Sequence, residues 1–402
     1  MVKKSVLVLA TTFPRWENDS TPRFVYNLSK ELVSRYKIIV LAPHHKGAAK
    51  MGDMAGMDIR RFAYFKPESL QKLCYGGGII PNMKSSFLAK IQMPFLIMSE
   101  FTAAHHLINK EKIEMMHAHW ILPQGLIGVF LKKIRKIPLL VSVHGSDLFP
   151  LKSAFFKNMQ HFVIKNADFI TVNSEATKKE LLQRFPQYSS KVKMIPMGVD
   201  MNLFKPRNIR KPKKYGKSTV MLFVGRLSDQ KGLQYLIESM PDVIEYSHSI
   251  KLLVIGEGPY GKILKDIVIG NHLEKHVEFL GSMKSAEITK YYNFADIFIL
   301  PSLSNKTGTE ALGLSLLEAM ASGCAVIGTR VGGIPFIIKD NYNGLLVEQR
   351  NSAELAKAIL TLLKDKSKAR KLGRNAAQLV RKSYSWDKIS NQFMEIYGDL
   401  LK

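Results

Sequence analysis

Short apolar runs alternate with amphipathic stretches along almost the whole chain. SVLVLA (5–10), KIIVLA (37–42), IEMMHA (113–118), PLLVSV (138–143), DFITV (168–172) and KVKMI (191–195) read as strands. These runs are mostly continuous rather than alternating, as in strands buried on both faces of a parallel sheet. Residues 23–35, 123–135, 153–166 and 174–185 read as the helices between them. Thr21 followed by Pro22 predicts the cap and first position of the first helix.

The pattern pauses at KPRNIRKPKKYGK (205–217), whose prolines, glycine and cations make a linker composition. A second series follows: VMLFVG (220–225), KLLVIG (251–256), VEFLG (277–281), DIFILP (296–301), AVIGT (325–329) and LLV (345–347). The expectation is an α/β protein of two doubly wound domains joined near residues 200–217. A chain of 402 residues supports that division, since single domains run to ~150 residues.

The hydrophobic fraction of 46% and charged fraction of 23% are those of a globular protein. Cys74 and Cys324 are the only cysteines and cannot form a disulfide framework, which favours a reducing compartment. Lys3 and Lys4 before the apolar run Val6–Ala10 imitate the start of a signal peptide. The run meets Pro14, Arg15 and Glu17 with no small-residue cleavage site, so a first buried strand explains it better. No stretch approaches the ~18 apolar residues that span a bilayer. The expected location is therefore cytoplasmic, with membrane contact at most peripheral.

A net charge of +26 asks for an acidic partner: nucleic acid, anionic lipid or a phosphorylated small molecule. The excess is spread over both halves, and no RNA-binding motif or DNA-reading module accompanies it. Residues 72–98 interrupt the first series, with a flexible Gly76-Gly77-Gly78. Phe87, Leu88, Ile91, Phe95 and Leu96, interleaved with Lys84 and Lys90, can make an amphipathic surface for lipid. An ordinary helix packed on the sheet is the preferred reading, with Pro94 expected to interrupt a long surface helix.

Candidate chemistry gathers just past strand ends, where parallel sheets place their ligands. In FVGRLSDQKGLQYLI (223–237), Arg226 and Lys231 suit a diphosphate, against the alternative of two solvated cations. In TGTEALGLSLLEAMASG (307–323), Gly313 and Ser315 open a helix whose free amides can receive phosphate. That helix is expected to end at Ser322, with Gly323 left-handed.

Glu310 and Glu318 would stand about 12 Å apart if both were helical. That is wider than the ~5–9.5 Å of paired glycosidase carboxylates, so separate roles are expected. Glu310 would meet a sugar and Glu318 ribose hydroxyls. On spacing alone, Ser315-Leu316-Leu317-Glu318 reads better as a capping box.

GEGPYG (256–261) matches G-x-G-x-x-G, with Glu278 some way on. It sits on the second strand of its domain, so it reads as a tight turn whose glycines admit a nucleotide, not as a dinucleotide fingerprint. In the first series, His144 and Asp147 follow one strand, and His117, His119 and Trp120 are expected just past the end of another. A metal is discounted at these histidines for want of a third ligand.

Together these segments resemble family four of the retaining glycosyltransferases. The strongest match is Glu310-x7-Glu318 running into EAMASG. VGRLSDQKG, HGSD, IPMGVD (195–200), GEGP and YSWDKI (384–389) also fall where that family has its motifs. The resemblance implies a GT-B fold, two Rossmann-like doubly wound domains facing a central cleft. It gives an acceptor-binding domain at 1–204, a nucleotide-sugar domain at 205–383, and a helix at 384–402 returning to the first domain.

By the same resemblance, Arg226 and Lys231 neutralise the leaving diphosphate, and Gly313, Leu314 and Ser315 offer it amides. Glu318 holds the ribose, Glu310 the transferred sugar, and His144 approaches that sugar from the other domain. Arg15, His119 and Trp120 are the acceptor-side candidates. No metal or cofactor is implied; the co-substrate is a UDP- or GDP-linked sugar. The acceptor is an alcohol, lipid-linked or part of a surface polysaccharide or glycolipid. Departures from the family pattern are Ala311, Ala325, and a first loop (14–22) without a double glycine. Two competing functions are a nucleotide-sugar epimerase of the same fold and a non-catalytic basic protein that binds nucleic acid or membrane.

Overall fold

The computed structural model describes residues 3–17, 19, 21–305 and 308–402. Asn18 and Ser20 of the first loop, and Thr307 at the head of the segment leading to Glu310, lie outside the described residues. The chain forms two compact units, one of the residues up to Gly198 with Trp386–Lys402, the other of Val199–Ser385.

In the first unit the strands are β1 (Ser5–Leu9), β2 (Lys37–Pro43), β3 (Met51–Met54), β4 (Met57–Phe62), β5 (Met115–His119), β6 (Leu139–Val143), β7 (Phe169–Val172) and β8 (Val192–Met194). They make one sheet in the order β3-β4-β2-β1-β5-β6-β7-β8. Only the β3–β4 pair is antiparallel. This hairpin is absent from the sequence reading: β3 is an edge strand of Met, Gly and Asp, largely exposed, with no apolar run to mark it.

The helices are α1 (Phe24–Leu32), α2 (Ile79–Ser85), α3 (Phe87–Lys110), α4 (Leu126–Arg135), α5 (Ala154–Asn166) and α6 (Glu175–Arg184). Ser86, Ser153 and Ser174 cap α3, α5 and α6 through their hydroxyls. The expected cap of α1 is not realised. Arg23 precedes the helix without a side-chain bond to its amides, while the Thr21 hydroxyl donates to Asp19 at 2.8 Å. Helices α3, α4 and α5 lie side by side as one layer. The helix α3 runs unbroken through Pro94, and turns Ala89, Gln92, Leu96 and Glu100 toward the core.

In the second unit the strands are β9 (Thr219–Val224), β10 (Ile250–Ile255), β11 (Val277–Phe279), β12 (Ile297–Leu300), β13 (Ala325–Thr329) and β14 (Leu345–Val347). All are parallel, in the order β11-β10-β9-β12-β13-β14. This is the doubly wound order 3-2-1-4-5-6, whose strand direction of travel reverses between β9 and β12. The intervening helices are α7 (Leu233–Glu238), α8 (Met240–Tyr246), α9 (Gly261–Gly270), α10 (Ser285–Phe294), α11 (Leu314–Ala321), α12 (Ile334–Ile337), α13 (Ser352–Lys364) and α14 (Lys366–Ser383). Residues 205–217 dock on this unit: Lys211 pairs with Asp296 at 2.8 Å, Lys214 with Glu278 at 2.7 Å, and Tyr215 is buried.

The final helix α15 (Trp386–Leu400) belongs to the first unit and packs on α1. Tyr397, fully buried, meets His117 Nδ1 through its hydroxyl at 2.7 Å, and Lys4 Nζ donates to the Leu401 carbonyl. Tyr397→Phe should destabilise the protein by ~1–3 kcal/mol, because it strands a buried imidazole nitrogen. Urea unfolding measures this, and a loss under ~0.5 kcal/mol would show the bond to be dispensable.

Candidate active site

In the second unit the candidate residues converge on the β9/β12 switch point. Arg226 and Lys231 stand in the loop after β9, and Glu310 to Ser315 in the loop after β12. The two loops are tied by backbone and side chain. The Leu303 amide donates to the Gln230 carbonyl at 2.7 Å, and Asn305 Nδ2 to Asp229 at 2.9 Å.

Lys231 sits in a single 3₁₀ turn, Asp229–Lys231, and its ammonium reaches Glu310 Oε2 at 2.5 Å. The Ser302 hydroxyl donates to the same oxygen at 3.0 Å. The Glu310 side chain is 12% exposed. Burial raises its proton affinity, but Lys231, Ser302 and the Gly313 amide outweigh it and hold the carboxyl below its ordinary value. Arg226, one residue past the tight turn at Gly225, is exposed and its guanidinium makes no bond among the described residues.

Gly313, at φ +78°, caps α11 without a side chain, so the Leu314 and Ser315 amides open the first turn with no intrahelical acceptor. The capping box expected from Ser315 to Glu318 is therefore displaced by two residues and does not form. Glu318 lies in the second turn and accepts from the buried Tyr292 hydroxyl at 2.9 Å. Burial pushes its carboxyl up to about 7, against the opposing bond from Tyr292. A raised acid favours folding below its unfolded value, and that contribution is lost as pH rises through about 7. Glu318→Gln should thus gain ~1–2 kcal/mol on the wild type between pH 5 and pH 8, read by urea unfolding at both. Parallel pH curves for the two proteins would refute it.

Two further supports escaped the sequence reading. Gly332 and Gly333, after β13, lie against the chain that carries Glu310, and the Gly333 amide donates to the Glu310 carbonyl at 2.9 Å. A Cβ on Gly332 would fall 1.9 Å from that same carbonyl oxygen. Ser302 and Tyr292 complete the set. A Gly-Gly pair after a strand is the one signal of these that the sequence carries.

GEGPYG packs one loop on another. A Cβ on Gly256 would lie 1.9 Å from the Gly225 carbonyl oxygen, and one on Gly258 2.2 Å from that of Leu227. These glycines let the β10 loop lie on the β9 loop that presents Arg226. Glu278, the acid at dinucleotide spacing, is bonded to Lys214 and Tyr215.

In the first unit the candidates also follow strands at a switch point, here between β1 and β5. His117 and His119 lie within β5, not past its end, on one face of the strand. Nε2 of His117 meets Ser142 Oγ at 2.7 Å, and Nδ1 of His119 meets His144 Nε2 at 3.0 Å. Burial pushes His117 and His144 down to about 3, and His119 well below its ordinary value. All three are neutral imidazoles near pH 7. Asp147 accepts from the Ile121 amide at 2.6 Å and the His144 amide at 3.1 Å, which fixes the loop. Trp120, at φ +78°, lies 5.1 Å from the His144 ring, and Phe24 lies 4.9 Å from it.

Arg15 is bound by Asp19, with its guanidinium at 2.7 Å. It lines a cavity of about 430 Å³ with His45, Lys72, Tyr75 and Asn82. It is separate in contacts from the His119–His144–Trp120 cluster.

Two Rossmann-like sheets, the second with Lys231 and Glu310 meeting at its switch point, are the arrangement of the GT-B class. The Glycosyltransferase Family 4 model matches residues 21–203, and the model for glycosyl transferases group 1 matches 204–379. An uncharacterized glycosyltransferase of Methanocaldococcus jannaschii is 31% identical over 72% of this chain and 76% of its own length. Sucrose-phosphate synthase from Thermosynechococcus elongatus superposes with a TM-score of 0.81 at 21% identity, covering 99% of both chains. Anabaena HepE, solved in complex with UDP, does so at 0.75 and 20% identity, covering 98% of this chain and 100% of that one. The chain belongs to the group 1 glycosyltransferases, with a family 4 N-terminal half, and is a glycosyltransferase of the GT-B fold.

Proposed function

We propose that the protein is a retaining glycosyltransferase that moves a sugar from a UDP- or GDP-linked donor to an alcohol. The observation that carries this reading is the Lys231–Glu310 pair at the β9/β12 switch point, beside the unpaired Arg226 and the first-turn amides of α11. A departing diphosphate needs fixed positive charge, and these groups supply it without reorganising. Lys231 would be shared between Glu310 and the phosphate, and Glu310 would then be free to accept from a sugar hydroxyl. Glu318, at the second turn, would accept from ribose.

His144 as a neutral imidazole is a hydrogen-bond partner for the sugar, and His119, Trp120 and Arg15 are the acceptor side. The bond to the sugar's anomeric carbon is exchanged: the acceptor oxygen bonds as the diphosphate oxygen leaves, and the acceptor proton goes to that phosphate. The acceptors this reading favours are hydroxyls of lipid-linked or surface glycans.

The test is thermal stabilisation across a panel of nucleotide sugars, followed by acceptor screening with the one that responds. Stabilisation by a UDP- or GDP-sugar is the expected result. Silence toward the whole panel would overturn the reading. Conversion of the donor sugar without an acceptor would replace it with an epimerase.

A further inference from the structure

The helix α3 satisfies both readings of residues 72–98 at once. One face packs on the sheet, and the other is apolar and bare. From residue 87 to residue 98 the exposed positions are Phe87, Lys90, Ile91, Pro94, Phe95 and Met98. Phe87 is 76% exposed and Met98 68%. The spacing puts these side chains on one stripe.

Further exposed hydrophobics lie on the same layer. Phe130 and Ile134 are exposed on the neighbouring α4, and Phe155 on α5 beyond it. Seven of the fifteen exposed large hydrophobics among the described residues fall on these three helices, so the apolar surface is concentrated rather than scattered. Exposed apolar residues gathered in this way mark a docking face.

Its charge identifies the occupant. Within α3, α4 and α5 the one carboxylate is Glu100, buried and bonded to Gln124. The exposed charges around the apolar residues are mostly cationic: Lys84 and Lys90 by α3, Lys133 and Lys136 by α4, Lys152 and Lys157 by α5, against Asp168. At the end of α4, Lys132, Lys133 and Lys136 line a cavity of about 400 Å³ with Asn166 and Asp168. Lys132 is held by Asp168 at 2.6 Å, whereas Lys133 and Lys136 form no ion pair. Aromatic and aliphatic tips set among lysines, with the exposed Asp168 held by Lys132, match the interfacial zone of an anionic bilayer.

We propose that the α3–α4–α5 layer of the first unit is a peripheral membrane-docking face for anionic lipid, with the α3 stripe inserted among the acyl chains and the lysines on the headgroups. The surface requires no part of the transfer chemistry.

The experiment is co-sedimentation of the full chain with phosphatidylcholine vesicles with and without phosphatidylglycerol. The wild type should bind the mixed vesicles, and at least about tenfold more weakly the neutral ones. Raising the salt from ~0.1 M to ~1 M should weaken binding, as screening shortens from about 10 to about 3 Å. Phe87→Asp with Met98→Asp should reduce binding at least about tenfold. Circular dichroism and melting should be unchanged in this variant, because both side chains are solvent-facing. A Lys84→Glu, Lys90→Glu variant should abolish the preference for phosphatidylglycerol. Absence of binding to mixed vesicles overturns the proposal, as does binding that survives Phe87→Asp with Met98→Asp. A dimer dissolved by those substitutions, without vesicle binding, would assign the face to a second copy instead. The same variants should keep any stabilisation by UDP, so failure of the donor-site reading is scored separately.

Discussion

Lys231→Ala should lower sugar transfer by about 10²–10³-fold, the usual cost of removing one fixed donor from a developing anion. The reason is visible in the resting site, where the same ammonium is what keeps the Glu310 carboxyl ionised. Without it, only the Ser302 hydroxyl and the Gly313 amide oppose burial, and the Glu310 carboxyl holds its proton more tightly than in the wild type. The variant thus loses the phosphate's counter-charge and the sugar's acceptor together. Glu310→Ala should be comparably inactive, and the double variant little worse than either, since one pair has been removed.

Stability tells the same story with a definite sign. In the wild type a lowered Glu310 contributes above its unfolded value, ~4.3, and the contribution disappears as pH falls through the lower folded value. In Lys231→Ala the lowering is weaker, so less of that contribution is gained as pH rises. The gap between the two proteins should therefore widen from pH 4 to pH 7, reaching about 2 kcal/mol, less than a fully buried pair because the Lys231 side chain is 21% exposed. Turnover and urea unfolding across that range are the measurements. Near-normal turnover in both single variants would sink the site assignment.

Gly332→Ala carries the second large effect. At φ +54°, its Cβ would lie 1.9 Å from the Glu310 carbonyl oxygen, and backbone must yield. The loop bearing Glu310 would shift by an ångström or so, enough to cost about 10²-fold in rate. Gly270→Ala is the matched control in the same unit, with nothing within 4 Å of its added Cβ. Steady-state rates and melting curves of the two variants separate the cases. Full activity in Gly332→Ala would show that the loop is not positioned from behind.

The parallel sheets were legible because each central strand is a continuous apolar run, and burial on both faces leaves no polar interruption to confuse the period. Polar or exposed pieces were not. The β3–β4 hairpin has no apolar face to announce it, and Arg23 and Thr21 are in places that a cap rule cannot tell apart. The helix frame at Glu318 was misjudged by two residues because Gly313 starts α11 through its backbone alone, leaving Ser315 inside the helix.

Arg226, Lys231 and Glu310 were found from their place after strands, yet what they touch was not. Lys231 and Glu310 are 79 residues apart, and His117 and Tyr397 are 280 apart. Such pairs are made by strand order, which local spacing does not encode. The loop contacts of the GEGPYG glycines were hidden for the same reason. A glycine demanded by a neighbouring loop and one demanded by a ligand look alike until the neighbour is in place.

The return of α15 to the first unit also sets an order of manufacture. All of the second unit, Val199–Ser385, is contiguous, whereas the first includes Trp386–Lys402 from the far end of the chain. A chain leaving the ribosome from its N-terminus has its second unit whole while the first still lacks a helix. Until then α1 has no cover and His117 no Tyr397. The half made first is finished last, and it waits for the second half to be synthesised.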